Sequence, residues 1–192
     1  MPNLPLILAS SSPRRRQLLE EQGYEFEVIP PHESAEDEAG ADESPPQLVA
    51  RLAMQKARDV ARRITAGIVI GCDTVAECGG QILGKPTSIE HARQMLELLR
   101  GQEHRVCSGL CLWRRPDEKV WNEVEVTRLV MESLSDADLA AYLATGDWKG
   151  KAGAFGYQDG LDWVHIIEGS ESNVVGLPLE RLRRMMTIVE QP

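Results

Sequence analysis

The apolar run Leu6-Ile7-Leu8-Ala9 empties into Ser10-Ser11-Ser12-Pro13-Arg14-Arg15-Arg16. The run reads as a strand. Ser12 stands where a helix N-cap belongs. Pro13 suits the first helical position, where a missing N–H costs nothing. Such a junction leaves backbone N–H groups free to face an anion. Arginines in a first helical turn oppose the helix dipole, which favours acidic side chains there. That local cost points to a ligand, and polyphosphate is the natural candidate. The alternative is a solvated basic helix face.

The strand–helix alternation continues without repeats or low-complexity tracts. Strands are expected over 5–9, 24–29, 67–77 and 163–168. Helices are expected over 13–22, stopped by Gly23, from the Ser44 cap to about residue 63, from Ser88 to 100, from Ser135 to 144, and from Pro178 onward. Gly79-Gly80 reads as a hairpin turn. Segments 103–113 and 119–131 form a long hairpin about Pro116-Asp117. Residues 30–43 are proline-broken and acidic, hence a loop. Residues 173–178 read as a helix-start loop. Alternation plus a hairpin argues for an α/β fold with a mixed sheet. The glycine-rich stretch 146–160 has little periodicity and could divide two lobes.

At 192 residues the chain fits one domain, spanning 1–192, with a sizeable core. A net charge of −9 repels nucleic acid and anionic membrane, so any phosphate site must be a local basic pocket. Cys72, Cys78, Cys107 and Cys111 form no CxxC pair and have no partnering histidines, which argues against zinc and for ordinary buried thiols. There is neither a secretory h-region nor a membrane-length apolar run, so a reducing cytoplasm fits. Four tryptophans, Trp113, Trp121, Trp148 and Trp163, serve the core by default and leave a homodimer interface open.

Several short constellations carry chemistry. Asp73, in Gly71-Cys72-Asp73-Thr74, ends a buried-looking strand. There a carboxylate faces the crevice of an open sheet and can coordinate a divalent cation or accept a proton from water. The alternative is that it simply terminates the strand and binds loop N–H groups. Lys85, between Gly84 and Pro86, sits on a stiff turn that suits a point charge aimed at phosphate, though taken alone it reads as a solvated turn lysine. Lys56 lies mid-helix, where most lysines face solvent. Glu33 and Glu36, beside Asp37 and Glu38, form an acidic run that is either solvated or the source of a second metal carboxylate. In Lys151-Ala152-Gly153-Ala154-Phe155-Gly156-Tyr157-Gln158, small residues admit a ligand close to the backbone. Gln158 can both donate to and accept from a base edge. The four histidines have no ligand spacing.

Together these segments resemble the Maf family of nucleotide pyrophosphatases. The matching pieces are Leu8 to Arg15, Arg51-Leu52-Ala53 with Lys56-Ala57, Gly71 to Thr74, Gly84-Lys85-Pro86, Lys151 to Gly156 with Gln158, and Val175-Gly176-Leu177-Pro178-Leu179. They follow the family's order and span nearly the whole chain. The resemblance implies an α/β fold with a twisted mixed sheet flanked by helices. Its two lobes enclose a central cleft, as in inosine-triphosphate pyrophosphatases. It implies hydrolysis of a nucleoside triphosphate to the monophosphate and pyrophosphate, with Mg²⁺ or Mn²⁺. Asp73 matches the family's catalytic proton acceptor. Ser10, Arg15, Lys56 and Lys85 match its phosphate-side residues. Arg14, Thr74 and Gln158 match positions that mark the dTTP/UTP branch. The family's usual acidic pair after the second strand is altered here, so either Glu33 or Glu36 could join Asp73 as metal ligand. Two rivals accompany this expectation. One is the same chemistry on 7-methyl-GTP or another modified base. The other is a non-enzymatic, nucleotide-binding regulator of cell division.

Overall fold

A computed structural model describes residues 4–36 and 43–190. Asp37 and Glu38, read above as part of the acidic loop, lie outside them. The described chain contains β1 (Leu6–Ala9), α1 (Pro13–Glu21), β2 (Glu27–Val28), α2 (Pro45–Ala61), β3 (Gly67–Cys78), β4 (Gln81–Leu83) and α3 (Ile89–Leu99). There follow β5 (Glu103–Arg115), β6 (Lys119–Met131), α4 (Asp136–Thr145), β7 (Val164–Glu168), α5 (Glu171–Val175) and α6 (Leu179–Val189). The expected α/β fold is present: one mixed sheet in the order β2-β1-β3-β5-β6-β7, with β4 paired to β3. β1 runs parallel to β2 and β3, and the remaining pairs are antiparallel.

The caps expected at Ser88 and Ser135 form: each hydroxyl accepts a backbone N–H, from His91 and Asp138, at 3.1 Å. At Ser44 it is the Gln47 side chain that reaches back, accepting from the Ser44 N–H at 3.0 Å. Two expectations change. The second strand shrinks to two residues because Tyr24 N–H bonds Leu19 O (3.1 Å), and Tyr24 and Phe26 pack into the core beside α6. Their apolar alternation reflects that core, not a ladder. Residues 173–175, expected as loop, belong to the short helix α5. Its Asn173 amide donates to Val106 O (3.1 Å) and Thr127 Oγ1 (3.0 Å), pinning the turn to the middle of the sheet.

Alternation along β3 sets what each of its faces meets. Ile68, Ile70 and Cys72 point into a core with α1 and α6. Val69 points the other way, into a core with Ala53, Ala57 and Val60 of α2. Beyond Val75 the strand enters a further core built with α3 and α4. The expected lobes are thus the packed ends of one sheet, joined by β3, β5 and β6.

The registers leave a notch. β1 ends with Ala9 opposite Gly71, and β4, running the other way, ends with Leu83 opposite Ala76. Between them, residues 72–75 of β3 have no strand neighbour on that edge among the described residues. Asp73 and Thr74 occupy the notch, and by alternation they face opposite sides. Asp73 turns toward α2, and Thr74 toward α1 and α5.

Candidate active site

The notch opens into a cavity of about 630 Å³. Ser10, Arg14, Arg15, Glu36, Lys56, Thr74, Lys85 and Gln158 all line it. A larger groove of about 1310 Å³ lies beside β1, the end of α6 and the β5–β6 turn, and none of the candidate residues lines it. Chemistry, not size, selects the smaller one.

Asp73 forms the back of the site through Lys56, whose Nζ donates to Asp73 Oδ1 at 2.5 Å. Two glycines make that contact reachable. A Cβ on Gly71 would lie 2.2 Å from Ala53 O, and one on Gly109 2.0 Å from Val49 O. Gly109 is the β5 partner of Asp73. Helix α2 therefore rests directly on the backbone of β3 and β5, and this mid-helix lysine is buried rather than solvated. The same Nζ stands 3.1 Å from Glu36 Oε1. Glu33 lies on the exposed 3₁₀ turn Glu33–Ala35 and does not line the cavity.

On the opposite face, Arg15 folds back from α1. Its Nε donates to Gly176 O (2.8 Å), Nη1 to Ser10 Oγ (3.3 Å) and Nη2 to Thr74 Oγ1 (3.2 Å). The Thr74 hydroxyl is also 2.8 Å from Ser108 Oγ. All three acceptors are neutral, so the guanidinium charge is fixed in place without being neutralised. Gly176 has φ +125°, a conformation that favours glycine and that turns its carbonyl to Arg15.

Lys85 follows β4 at the far end of the notch. It is open to solvent, yet the enclosing protein lowers its ammonium pKa below the usual value. Burial is the first cause, followed by repulsion from Arg15 and Lys56. The Gly84 carbonyl accepts from Gly153 N at 3.1 Å, which ties this turn to the 3₁₀ turn Ala152–Ala154. Arg14 Nη2 donates to Gly150 O at 2.8 Å and fastens α1 to the same segment. Burial, more than any other cause, lowers the Arg14 pKa. Gln158 is exposed, with no hydrogen-bond partner among the described residues. Lys151 pairs with Asp159.

The site thus gathers the expected phosphate-side residues around two carboxylates, Asp73 and Glu36. Sequence reasoning missed the Gly176 carbonyl and Ser108, which hold Arg15 and Thr74 through tertiary contacts. It also missed Lys149, which lines the cavity without belonging to any pattern. Among the described residues no three His, Cys, Asp or Glu side chains gather as a metal cage. Two carboxylates do converge on the single Lys56 ammonium. A hydrated Mg²⁺ or Mn²⁺ needs only one or two protein carboxylates, because water and phosphate oxygens complete its shell. The donor set Asp73 and Glu36 fits such an ion. All four cysteines are free and buried, and no described helix is long and apolar enough to cross a membrane.

A family model described as Maf-like protein matches residues 5–189. A dTTP/UTP pyrophosphatase of Rhodopirellula baltica is 54% identical over 187 residues, covering 97% of this chain and 82% of its own. The dTTP/UTP pyrophosphatase of Dictyoglomus thermophilum is 41% identical over 182 residues, with 94% of each chain covered. That of Geotalea uraniireducens is 42% identical over 190 residues, covering 95% of this chain and 96% of its own. A solved nucleoside-triphosphatase / dITP/XTP pyrophosphatase of Mycobacterium abscessus aligns over 96% of this chain and 92% of its own, at 13% identity and a TM-score of 0.41.

Proposed function

This chain belongs to the Maf-like protein family, and from that premise we propose that it hydrolyses dTTP and UTP to the nucleoside monophosphate and pyrophosphate. The observation that carries the chemistry is the sheet notch. There Arg15, Glu36, Lys56 and Lys85 line a cavity of about 630 Å³, and Asp73 sits directly behind Lys56, whose Nζ donates to its carboxylate. The pyrimidine preference rests on the three relatives above, each named for dTTP and UTP.

Water attacks the α-phosphorus. The bond from that phosphorus to the α,β-bridging oxygen breaks, pyrophosphate leaves, and Asp73 accepts the water proton. A triphosphate brings about four negative charges near neutral pH, so holding it is mainly an electrostatic task. Arg15 and Lys85 supply charge to the phosphate oxygens. Thr74 and Ser10 act on substrate through Arg15, whose fork they orient. The backbone N–H groups of the first turn of α1 add dipoles that need no rearrangement during reaction, while the Ser12 N–H is taken by Ser10 Oγ at 3.2 Å. Lys56 fixes the Asp73 carboxylate and couples it to Glu36. Asp73 and Glu36 would hold a divalent cation, with Glu33 outside that set. When bound, Mg²⁺ or Mn²⁺ would neutralise phosphate charge and acidify water.

Base selection belongs to the other wall. Gln158 offers an amide that can both donate to and accept from the carbonyl–imide–carbonyl edge of a pyrimidine. Arg14 holds that wall in place through Gly150. A base that cannot complete these bonds covers the Gln158 amide without pairing it, which penalises the wrong base. The buried free thiols suit a reducing cytoplasm. A net charge of −9 around a locally basic cavity suits a small anion over nucleic acid. The test is a panel of nucleoside triphosphates, including 7-methyl-GTP, with pyrophosphate detection with and without Mg²⁺. Pyrophosphate release that tracks the purified protein and favours dTTP and UTP is expected. A flat or purine-directed profile refutes the pyrimidine assignment, and no release refutes the enzyme.

A further inference from the structure

Lys149 lines the cavity but has no part in the machinery described above. It follows Trp148, a buried residue whose indole N–H donates to Leu143 O at 3.0 Å. The Lys149 Nζ rests 5.7 Å from the centroid of that ring. Gly146, the left-handed C-cap of α4, leaves the space across which the side chain folds. A Cβ built there would lie 3.7 Å from Lys149 Nζ. On the other side, Gly150 gives its carbonyl to Arg14 at 2.8 Å. A fixed indole and a short turn therefore hold an exposed ammonium at the cavity mouth, next to Arg14.

Most exposed lysines are simply solvated. The charge balance sets this one apart. In a chain of net charge −9, four cations around one cavity, Arg14, Arg15, Lys85 and Lys149, have no carboxylate at ion-pair distance among the described residues. Lys56 and Lys151 do have such partners. The ammonium is itself open to water, so its hold on the ring is weak. A charge-assisted hydrogen bond to phosphate is stronger. Phosphate entering the mouth will therefore draw the ammonium off the ring.

Resting on the pyrophosphatase reading, we propose that Lys149 is a further substrate-binding residue, which leaves the face of Trp148 to grip the polyphosphate tail of the nucleotide. It captures substrate and touches no reacting bond. The test compares Lys149→Ala, Lys149→Glu and Lys149→Arg with the parent protein. The KM for dTTP is expected to rise about tenfold in the alanine variant, further in the glutamate variant, and to return toward the parent value in the arginine variant. The loss falls on KM more than on kcat, and the salt dependence of KM flattens in the alanine variant. Inorganic tripolyphosphate, titrated calorimetrically, is expected to lose affinity by the same factor. The proposal is overturned if KM and the tripolyphosphate Kd both stay within twofold of the parent in the alanine and glutamate variants. It is also overturned if the parent does not bind tripolyphosphate. A parent that releases no pyrophosphate from any nucleotide sinks the proposed function instead, and the tripolyphosphate titration still decides the role of Lys149.

Discussion

The two walls of the cavity are built on opposite plans. Around Asp73 the charges are paired and the packing is close: Lys56 bridges Asp73 and Glu36, and α2 lies against bare backbone at Gly71 and Gly109. Across the cavity, between the start of α1 and residues 149–158, Arg14 and Lys149 have no carboxylate at ion-pair distance. Gln158 has no partner among the described residues, and the chain runs through short turns. One wall is fixed before substrate arrives. The other is left for substrate to complete. The contrast separates the two tasks of such an enzyme, since bond breaking needs fixed geometry and substrate capture, by base and by phosphate, needs unsatisfied groups.

The sharpest way to break that comparison is Asp73→Asn. Pyrophosphate release should fall about a thousandfold while nucleotide affinity, measured by calorimetry, stays within a few-fold. Comparable losses in both would make Asp73 a binding residue. Next comes the packing of the fixed wall. Gly109→Ala places a methyl against Val49 O and should cost about 2–3 kcal/mol in urea unfolding, with activity falling as Lys56 shifts from Asp73. An unchanged midpoint would show that α2 yields freely. On the open wall, Gln158→Ala should reduce the preference for dTTP over other triphosphates about tenfold, with a smaller loss on dTTP itself. An unchanged profile would move base selection elsewhere.

The smallest effect is a protonic one. The Lys85 ammonium is held below its usual 10.5 by burial and by Arg15 and Lys56. In the free folded chain its charged form is disfavoured relative to the unfolded chain. The free protein therefore gains stability as pH rises through the alkaline window between the folded and unfolded values. Substrate needs the charged form, so KM should rise over that same window, and binding there should take up a proton. Calorimetry in two buffers of different ionisation enthalpy reads this uptake. Lys85→Arg should remove it, and persistence in that variant would assign the proton to another group.

Much of the fixed wall was legible in the chain. The buried strand before Asp73, the capped helix carrying Lys56 and the turn holding Lys85 are local patterns that folded as their residues suggested, but Asp73 does not end its strand: β3 runs on to Cys78, and Asp73 is reached because the neighbouring strand stops short. What was not legible depends on register and tertiary contact. The notch exists because β1 stops opposite Gly71 and β4 stops opposite Ala76, and no local pattern encodes that offset. The choice between Glu33 and Glu36 was open in a loop without periodicity, whereas Glu36 is the one that meets Lys56. Helix α5, at five residues, is too short to show a helical period, so the carbonyl of Gly176 that anchors Arg15 was hidden. Lys149 carries no signal beyond its charge, and only its place at the cavity mouth distinguishes it.

The central claim is cleavage between the α- and β-phosphates at the sheet notch. It is tested most directly by following dTTP with ³¹P NMR in the presence of the parent protein and Mg²⁺. The account predicts dTMP and pyrophosphate appearing in equal amounts from the first time points. Accumulation of dTDP with inorganic phosphate would contradict it.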